Sequence, residues 1–181
     1  MKKELSKNPV AKLTMSAMFL ALCMVLPLLT GQIPEIGKAL SPMHIPVLIC
    51  GFVCGWPYGL AVGFIAPLLR FLIFGMPPIF PTGIAMAFEL AAYGAMSGIL
   101  YKVFPKKIQY IYVTLIASML GGRVIWGIVR FIIAGLSGTK FPFEAFLTGA
   151  FVSAVPGIIC HIALIPLIII AMKKAKLIAN E

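Results

Sequence analysis

Hydrophobic residues in this chain come in six long blocks, separated by short segments rich in Gly, Pro and Lys. A helix that crosses a bilayer needs about 20 apolar residues. The second block offers only ten before Gly55-Trp56-Pro57 unless it extends upstream through Met43. The fifth and sixth blocks are long enough to tilt or to project beyond the lipid. The pattern predicts six transmembrane helices, at residues 11–29, 43–55, 58–74, 82–104, 108–136 and 144–172.

The composition indicates that most of the chain is surrounded by lipid. Hydrophobic residues make up 61% of the 181 residues and charged residues 11%, whereas a soluble domain is about a quarter charged. A small globule cannot hide such an apolar surplus from water. The first block is too long for the core of a cleavable signal peptide and lacks its cleavage site. We therefore predict an all-α integral membrane bundle that forms a single domain over residues 1–181.

Basic residues mark one side of this predicted domain. The chain has 15 Lys and Arg against 5 Asp and Glu, but they flank hydrophobic runs, which argues against nucleic-acid binding. Cytoplasmic loops are rich in Lys and Arg, and only Lys38 and Lys140 fall in loops on the other side. The N- and C-termini are therefore predicted to be cytoplasmic, in a multi-pass protein of the cell membrane. The basic clusters are Lys2, Lys3, Lys7 and Lys12, then Lys102, Lys106 and Lys107, then Lys173, Lys174 and Lys176.

The three loops on the outer side are rich in turn-forming residues. They cover residues 30–44, 75–81 and 137–143, and each contains Gly and Pro, which favour defined turns over helix. The inner connections are short and basic. We therefore expect function to lie at the outer end of the bundle.

Charged side chains at membrane depth are costly and usually face protein or water, so each is a candidate for function. Four of them cluster in the outer half of the predicted bundle. On the fifth helix, two arginines seven residues apart share a stripe with Trp126 and Gly127, which predicts charge, a stacking surface and open space. Tyr93 lies one turn deeper than Glu89 on the fourth helix. The four charged residues are Arg70, Glu89, Arg123 and Arg130.

Two interpretations of these charges remain open. Arg70 or Arg130 could pair with Glu89 as a structural contact, or extend to the interface. Arg123 lies too deep to reach the interface, so it either pairs with Glu89 or holds an anionic ligand. Three arginines against one glutamate leave a positive site. Guanidinium groups match carboxylates well, which favours a substrate with a carboxylate or another anionic group.

The histidines and cysteines carry weaker signals. His44 stands at the outer mouth of the second helix, where it either contacts a ligand or is an interfacial residue without a role, the interpretation we favour. His161 is expected in the inner half of the last helix, in a helix–helix hydrogen bond. The four cysteines lie in apolar segments and are expected to pack as small hydrophobic residues. Cys50 and Cys54 are spaced i, i+4, but they do not resemble a zinc site.

The sequence contains no catalytic constellation. It has no Asp, no His-Glu pair at metal spacing, no Ser near a base and no phosphate-binding Gly-Lys loop. We therefore predict that the chain is not an enzyme, does not hydrolyse ATP, and uses no cofactor or metal.

Several motifs together resemble those of the substrate-binding, or S, components of energy-coupling factor (ECF) transporters. The first helix carries Ala17-x-x-x-Ala21, a small-residue pair that lets another helix approach closely. A Pro-rich loop leads into Ser41-Pro42-Met43-His44-Ile45-Pro46, and Gly55-Trp56-Pro57-Tyr58-Gly59 opens the third helix. With about six helices in under two hundred residues, the resemblance covers nearly the whole chain.

The resemblance implies a six-helix subunit that binds a vitamin or similar micronutrient near its outer face, beneath the outer loops. It also implies a membrane coupling subunit and two cytoplasmic ATPases as partners, with Ala17 and Ala21 on the surface that meets the coupling subunit. The identity of the substrate does not carry over. The positive site makes pantothenate or another carboxylate-bearing vitamin the first candidate. Riboflavin, or a queuosine precursor stacked on Trp126, is the second.

Two other classes of function are less consistent with the sequence. A stand-alone proton-coupled transporter could use Glu89 as its proton site, but no internal repeat of the kind such transporters contain is evident between the two halves. A membrane-embedded enzyme would need a catalytic constellation. The expected substrate-binding residues are therefore His44, Arg70, Glu89, Tyr93, Arg123, Trp126 and Arg130, with Ala17 and Ala21 for partner docking.

Overall fold

The computed structural model describes residues 8–29 and 40–175, and every regular element in these ranges is helical. The prediction of an all-α membrane bundle is thereby confirmed. Two π-helical segments, Ile79–Gly83 and Thr148–Val152, precede α4 and follow α6. The helices are α1 (Pro9–Leu29), α2 (His44–Cys54), α3 (Trp56–Phe74), α4 (Ile84–Val103), α5 (Ile108–Leu136), α6 (Phe143–Leu147) and α7 (Val155–Lys174).

Within the described ranges, five helical segments are long and apolar enough to cross a membrane. They comprise α1, α3, α4 with its preceding π-helical segment, α5, and the stretch from α6 to α7. The remaining predicted span, α2, has 11 residues, well short of the bilayer. Nine of its residues are buried, because the helix is apolar on all sides and lies inside the bundle.

A single glycine joins α2 to α3. Gly55 has φ 96° and ψ 170°, a backbone conformation that residues with a side chain rarely adopt. Pro57 follows in the first turn of α3, where its missing N–H costs nothing. The chain therefore reverses direction within one residue, and α3 packs back along α2.

Glycines bring the backbones of α2, α3 and α4 into direct contact. A Cβ atom on Gly59 would lie 2.8 Å from the Cα of Gly51 and against the carbonyl of Gly94. Gly63 faces the backbone of Leu90 in the same way, and Gly98 faces that of Trp56. Small residues at four-residue spacing allow this close approach in membranes. The segment that contains α4 is the most buried of the five spans, so it forms the centre of the bundle.

The first helix packs against this centre with one face and leaves the other uncovered. Its buried residues are Ser16, Phe19, Cys23 and Pro27, a spacing of three or four residues. Ala17 and Ala21 are exposed on the outer side of the helix. The predicted docking pair is thus available for contact with another helix.

The predicted sixth span, 144–172, is found as one membrane-spanning segment, Phe143–Lys174, but it is not one uninterrupted α-helix. The structure divides it into α6, the π-helical segment and α7, which begins at Val155. Pro156 lies in the first turn of α7, where proline is favoured, and the residue before a proline disfavours helical geometry. The last span therefore enters α7 through a change of backbone geometry at residues 153–154.

The other predicted boundaries hold to within two residues, and α5 matches its prediction. The described lysines of the three basic clusters meet at one end of the bundle. Lys173 Nζ donates a hydrogen bond to the Lys106 carbonyl at 2.7 Å, and Lys12, Lys102 and Lys106 line one groove. Lys2, Lys3, Lys7, Lys38 and Lys176, together with residues 30–39 of the predicted outer loop, lie outside the described residues.

Candidate functional site

A buried carboxylate lies at the junction of α2, α4 and α5. Glu89 on α4 is 2% exposed, and its Oε1 lies 2.9 Å from Arg123 Nη1 on α5. Tyr93, one turn along α4, donates a hydrogen bond to the same oxygen at 3.1 Å. His44 Nε2, at the first residue of α2, lies 3.6 Å from it. The ion pair and the hydrogen bond together compensate a charge that would otherwise be costly to bury.

Glu89 pairs with Arg123, and neither Arg70 nor Arg130 contacts the carboxylate. Arg123 reaches Glu89 where Gly122, its neighbour on α5, packs against the Tyr93 ring. A side chain on Gly122 would overlap that ring. Because Glu89 neutralises Arg123, a net positive charge in the predicted site must come from Arg130.

The expectation that His44 is an interfacial residue is wrong, because His44 is 3% exposed. His161 is also not in the inner half of its helix. Since α7 begins only at Val155, His161 lies two turns into it and stacks on His44, with ring centroids 6.0 Å apart and an interplanar angle of 23°. The Tyr93 ring lies 5.2 Å from that of His44. Both side chains are therefore part of the Glu89 site.

Two buried imidazole nitrogens in this site have no partner among the described residues, Nδ1 of His44 and Nε2 of His161, whereas Nε2 of His44 faces the Glu89 carboxylate. Buried polar atoms are nearly always paired with protein, water or ligand. Each of these nitrogens can donate or accept, depending on the tautomer. The site can thus offer hydrogen bonds to hydroxyl or amide groups of a bound molecule.

Beside the Glu89 site, Trp126 on α5 forms an aromatic cluster with Phe141, which precedes α6, and Phe146 on α6. The Phe146 ring stacks on Trp126 with centroids 6.3 Å apart, and Phe141 meets Trp126 edge-on at 6.0 Å. The space predicted at Gly127 is not open, because the Phe146 ring fills it. In the π-helical segment before α7, Gly149 also lies against Trp126. Phe146 belongs to α6, which precedes the break before α7.

Arg130 lies against this aromatic cluster. Its Cζ is 5.2 Å from the ring centroid of Phe141 and 5.9 Å from that of Trp126, within cation–π range. Its Nε is buried and has no hydrogen-bond partner, and no carboxylate of the described residues lies within ion-pair distance. Among the described residues, Arg130 is therefore a positive charge of the site that no carboxylate compensates.

Arg70 does not belong to this group. It is 5% exposed, so it does not extend to the interface. Its Nη1 donates to the carbonyl of Met24 on α1 at 2.9 Å, and its guanidinium lies 5.0 Å from the Phe74 ring centroid. These contacts tie α3 to α1, so the position of Arg70 points to a structural role.

Sequence reasoning missed His161, Phe141 and Phe146 as members of the site. The aromatic run Phe141-Pro142-Phe143-Glu144-Ala145-Phe146 at an outer loop was the available signal for two of them. For His161, the break in the last helix had to be known first. Within residues 8–29 and 40–175, no three His, Cys, Asp or Glu side chains are grouped so that they could hold a metal ion.

One comparison with known proteins gives a match. The family of the substrate-specific component of ECF transporters matches residues 11–172, a range that includes nearly all of α1 and every residue of the site. No curated protein and no solved structure matches the chain. The resemblance based on Ala17-x-x-x-Ala21 and Gly55-Trp56-Pro57 is thereby confirmed. This multi-pass membrane protein belongs to the substrate-specific components of ECF transporters and is a transporter subunit.

Proposed function

We propose that this subunit captures a vitamin-like micronutrient that carries a carboxylate, with pantothenate as the first candidate. The observation that supports the proposal most directly is Arg130. No carboxylate of the described residues pairs with its guanidinium, and its buried Nε has no partner among them, whereas Arg123 is neutralised by Glu89. A guanidinium in this position is suited to a two-point contact with a carboxylate.

The rest of the site supports a ligand with polar groups at its other end. Arg123 and Arg130 are seven residues apart, or about 10.5 Å along α5, and the unpaired nitrogens of His44 and His161 lie at the Arg123 end. A molecule with a carboxylate at one end and hydroxyl and amide groups further along can use both ends. Pantothenate has this arrangement of groups.

Calorimetric titration of the purified subunit tests this proposal. Pantothenate should bind, and pantothenol, which has an alcohol in place of the carboxylate, should bind much more weakly. Arg130→Gln should weaken pantothenate binding by about 2 kcal/mol, roughly 30-fold, and leave pantothenol binding nearly unchanged. Lys140→Gln, which removes an exposed positive charge from the same end of the bundle, is the matched control. Equal losses for both ligands would contradict a carboxylate contact at Arg130.

A flat aromatic vitamin is the second candidate, and the cluster of Trp126, Phe141 and Phe146 favours it. Riboflavin or a queuosine precursor could stack on Trp126 if the Phe146 ring moved aside. Mass spectrometry of the small molecule that co-purifies with the detergent-solubilised subunit separates the two classes. A flavin or a deazapurine in that sample would replace pantothenate as the substrate.

We further propose that the subunit works in an ATP-driven importer, with a membrane coupling subunit and two cytoplasmic ATPases. Exposed Ala17 and Ala21 on α1 support the contact with the coupling subunit. The grouping of Lys12, Lys102, Lys106 and Lys173 at one end supports cytoplasmic termini. Family membership favours this assignment over a stand-alone transporter that uses Glu89. Proton-driven uptake by the chain alone in sealed vesicles would contradict it.

A further inference from the structure

A second polar site lies at the opposite end of the bundle from the aromatic cluster. There, the beginning of α1, the junction of α2 and α3, and the end of α4 surround a groove of about 450 Å³. Its lining includes three lysines and four aromatic residues: Lys12, Lys102, Lys106, Phe52, Trp56, Tyr58 and Tyr101. The substrate site uses none of these residues.

Positive charge is concentrated in and beside this groove. The Nζ atoms of Lys106 and Lys173 lie 3.8 and 5.7 Å from the Tyr101 ring centroid, and Lys106 donates to the Tyr101 carbonyl. Burial, and then the charge of Lys173, lower the pKa of Lys106. No carboxylate of the described residues lines the groove. Like charges held this close favour a bound anion.

Tyr101 supplies a second, independent indication of a ligand. The residue is 7% exposed and lines the groove, yet its hydroxyl is buried without a hydrogen-bond partner among the described residues. The Phe52 ring meets it edge-on at 5.1 Å and offers no polar contact. An unpaired buried hydroxyl of this kind is unfavourable unless a partner reaches it. The hydroxyl is closed off from solvent, so a phosphate oxygen in the groove would become its partner once a neighbouring side chain moved aside.

The groove lies where α1 and α3 begin and α4 ends, which corresponds to the headgroup region for helices that span the bilayer. Trp56 opens α3 and is 46% exposed, the arrangement of tryptophans at the membrane–water interface. Basic pockets between transmembrane helices on the cytoplasmic side bind anionic headgroups. For a protein that is always surrounded by lipid, such a headgroup is the most abundant phosphate at this position.

We propose that this groove binds the phosphate of an anionic phospholipid. Lys12, Lys102 and Lys106 surround the phosphate, the Tyr101 hydroxyl donates a hydrogen bond to it, and Trp56 packs against the glycerol and the upper acyl chains. This assignment does not depend on the identity of the transported substrate.

Fluorescence quenching of Trp56 tests the proposal in the intact chain. The protein has two tryptophans, so a Trp126→Phe background leaves Trp56 as the only one. In phosphatidylcholine nanodiscs, brominated phosphatidylglycerol should quench Trp56 at a lower mole fraction than brominated phosphatidylcholine. Lys102→Gln should reduce this preference about fivefold, the effect of one lysine near an anionic headgroup. Lys12→Gln should reduce the preference by a similar factor. Adding Tyr101→Phe to either lysine variant should reduce the preference for phosphatidylglycerol further.

The matched control is Lys107→Gln, because Lys107 is exposed at the same end of the bundle but does not line the groove. This change should leave the preference intact, and thermal unfolding verifies that each variant is folded. Equal quenching by the two brominated lipids would overturn the proposal. An equal loss in the Lys107 variant would also overturn it, since diffuse surface charge would then explain the preference. Displacement of the lipid by inorganic phosphate would assign the groove to the free anion instead.

Discussion

Replacing Arg123 with Gln should destabilise this protein, because Glu89 would keep its charge in a buried site without an ionic partner. Removing one member of a buried ion pair costs about 3–5 kcal/mol. Arg123 is 12% exposed and Tyr93 continues to donate to Glu89, so we expect the lower end of that range, about 3 kcal/mol. For a chain of 181 residues, each kcal/mol shifts the melting temperature by about 2–4 °C. The expected decrease is therefore about 6–12 °C.

The double variant Arg123→Gln, Glu89→Gln distinguishes this mechanism from a general loss of packing. Two amides of similar shape can form a hydrogen bond without any buried charge, so the second change should recover about 2 kcal/mol of the loss. The assay is thermal unfolding of the ligand-free subunit in detergent for the wild type, both single variants and the double variant. Glu144→Gln, at an exposed glutamate of α6, serves as the control. An unchanged melting temperature in Arg123→Gln, or losses that simply add in the double variant, would refute the reasoning.

Three further predictions concern docking, packing and topology. Ala21→Leu adds bulk to the exposed face of α1. Transport by the complete importer should therefore fall while ligand binding to the isolated subunit is retained. A parallel loss of binding would exclude a docking role. Gly94→Ala places a Cβ against the backbone of Gly59 and should lower the free energy of unfolding by about 1–3 kcal/mol. Gly135→Ala, where the added Cβ meets nothing within 4 Å, should cause no loss. Membrane-impermeant thiol reagents applied outside should label a cysteine introduced beside Lys140 but not one beside Lys106, and the opposite pattern would reverse the proposed orientation.

The helices that were predictable from sequence are those with apolar runs bounded by turn residues. Helix α5 ends at its predicted residues because a Lys-rich segment precedes it and Ser137-Gly138 follows it. The break within the last span was not predicted because its apolar character continues through residues 148–154. Hydropathy does not detect a change in backbone geometry within an apolar run.

The members of the site were easier to predict than their partners. The free-energy cost of placing a charge at membrane depth was enough to identify Glu89 and Arg123 as residues that need a partner of opposite charge. Which arginine meets the carboxylate depends on the rotation of each helix about its axis, and that rotation follows from packing. The glycine contacts between α3 and α4 set it here, and they turn Arg70 toward Met24 on α1. The proximity of His161 to His44 likewise depends on where α7 begins.

The backbone contacts among α2, α3 and α4 limit how this protein could be redesigned for a new cargo. At Gly59, Gly63 and Gly94, any larger side chain would overlap a neighbouring backbone, so these positions offer little freedom for selection or engineering. Around Trp126 and Phe146, by contrast, the neighbours are mainly side chains that can be exchanged as sets of similar volume. A library intended to change substrate preference should therefore randomise the aromatic cluster and leave the glycines unchanged.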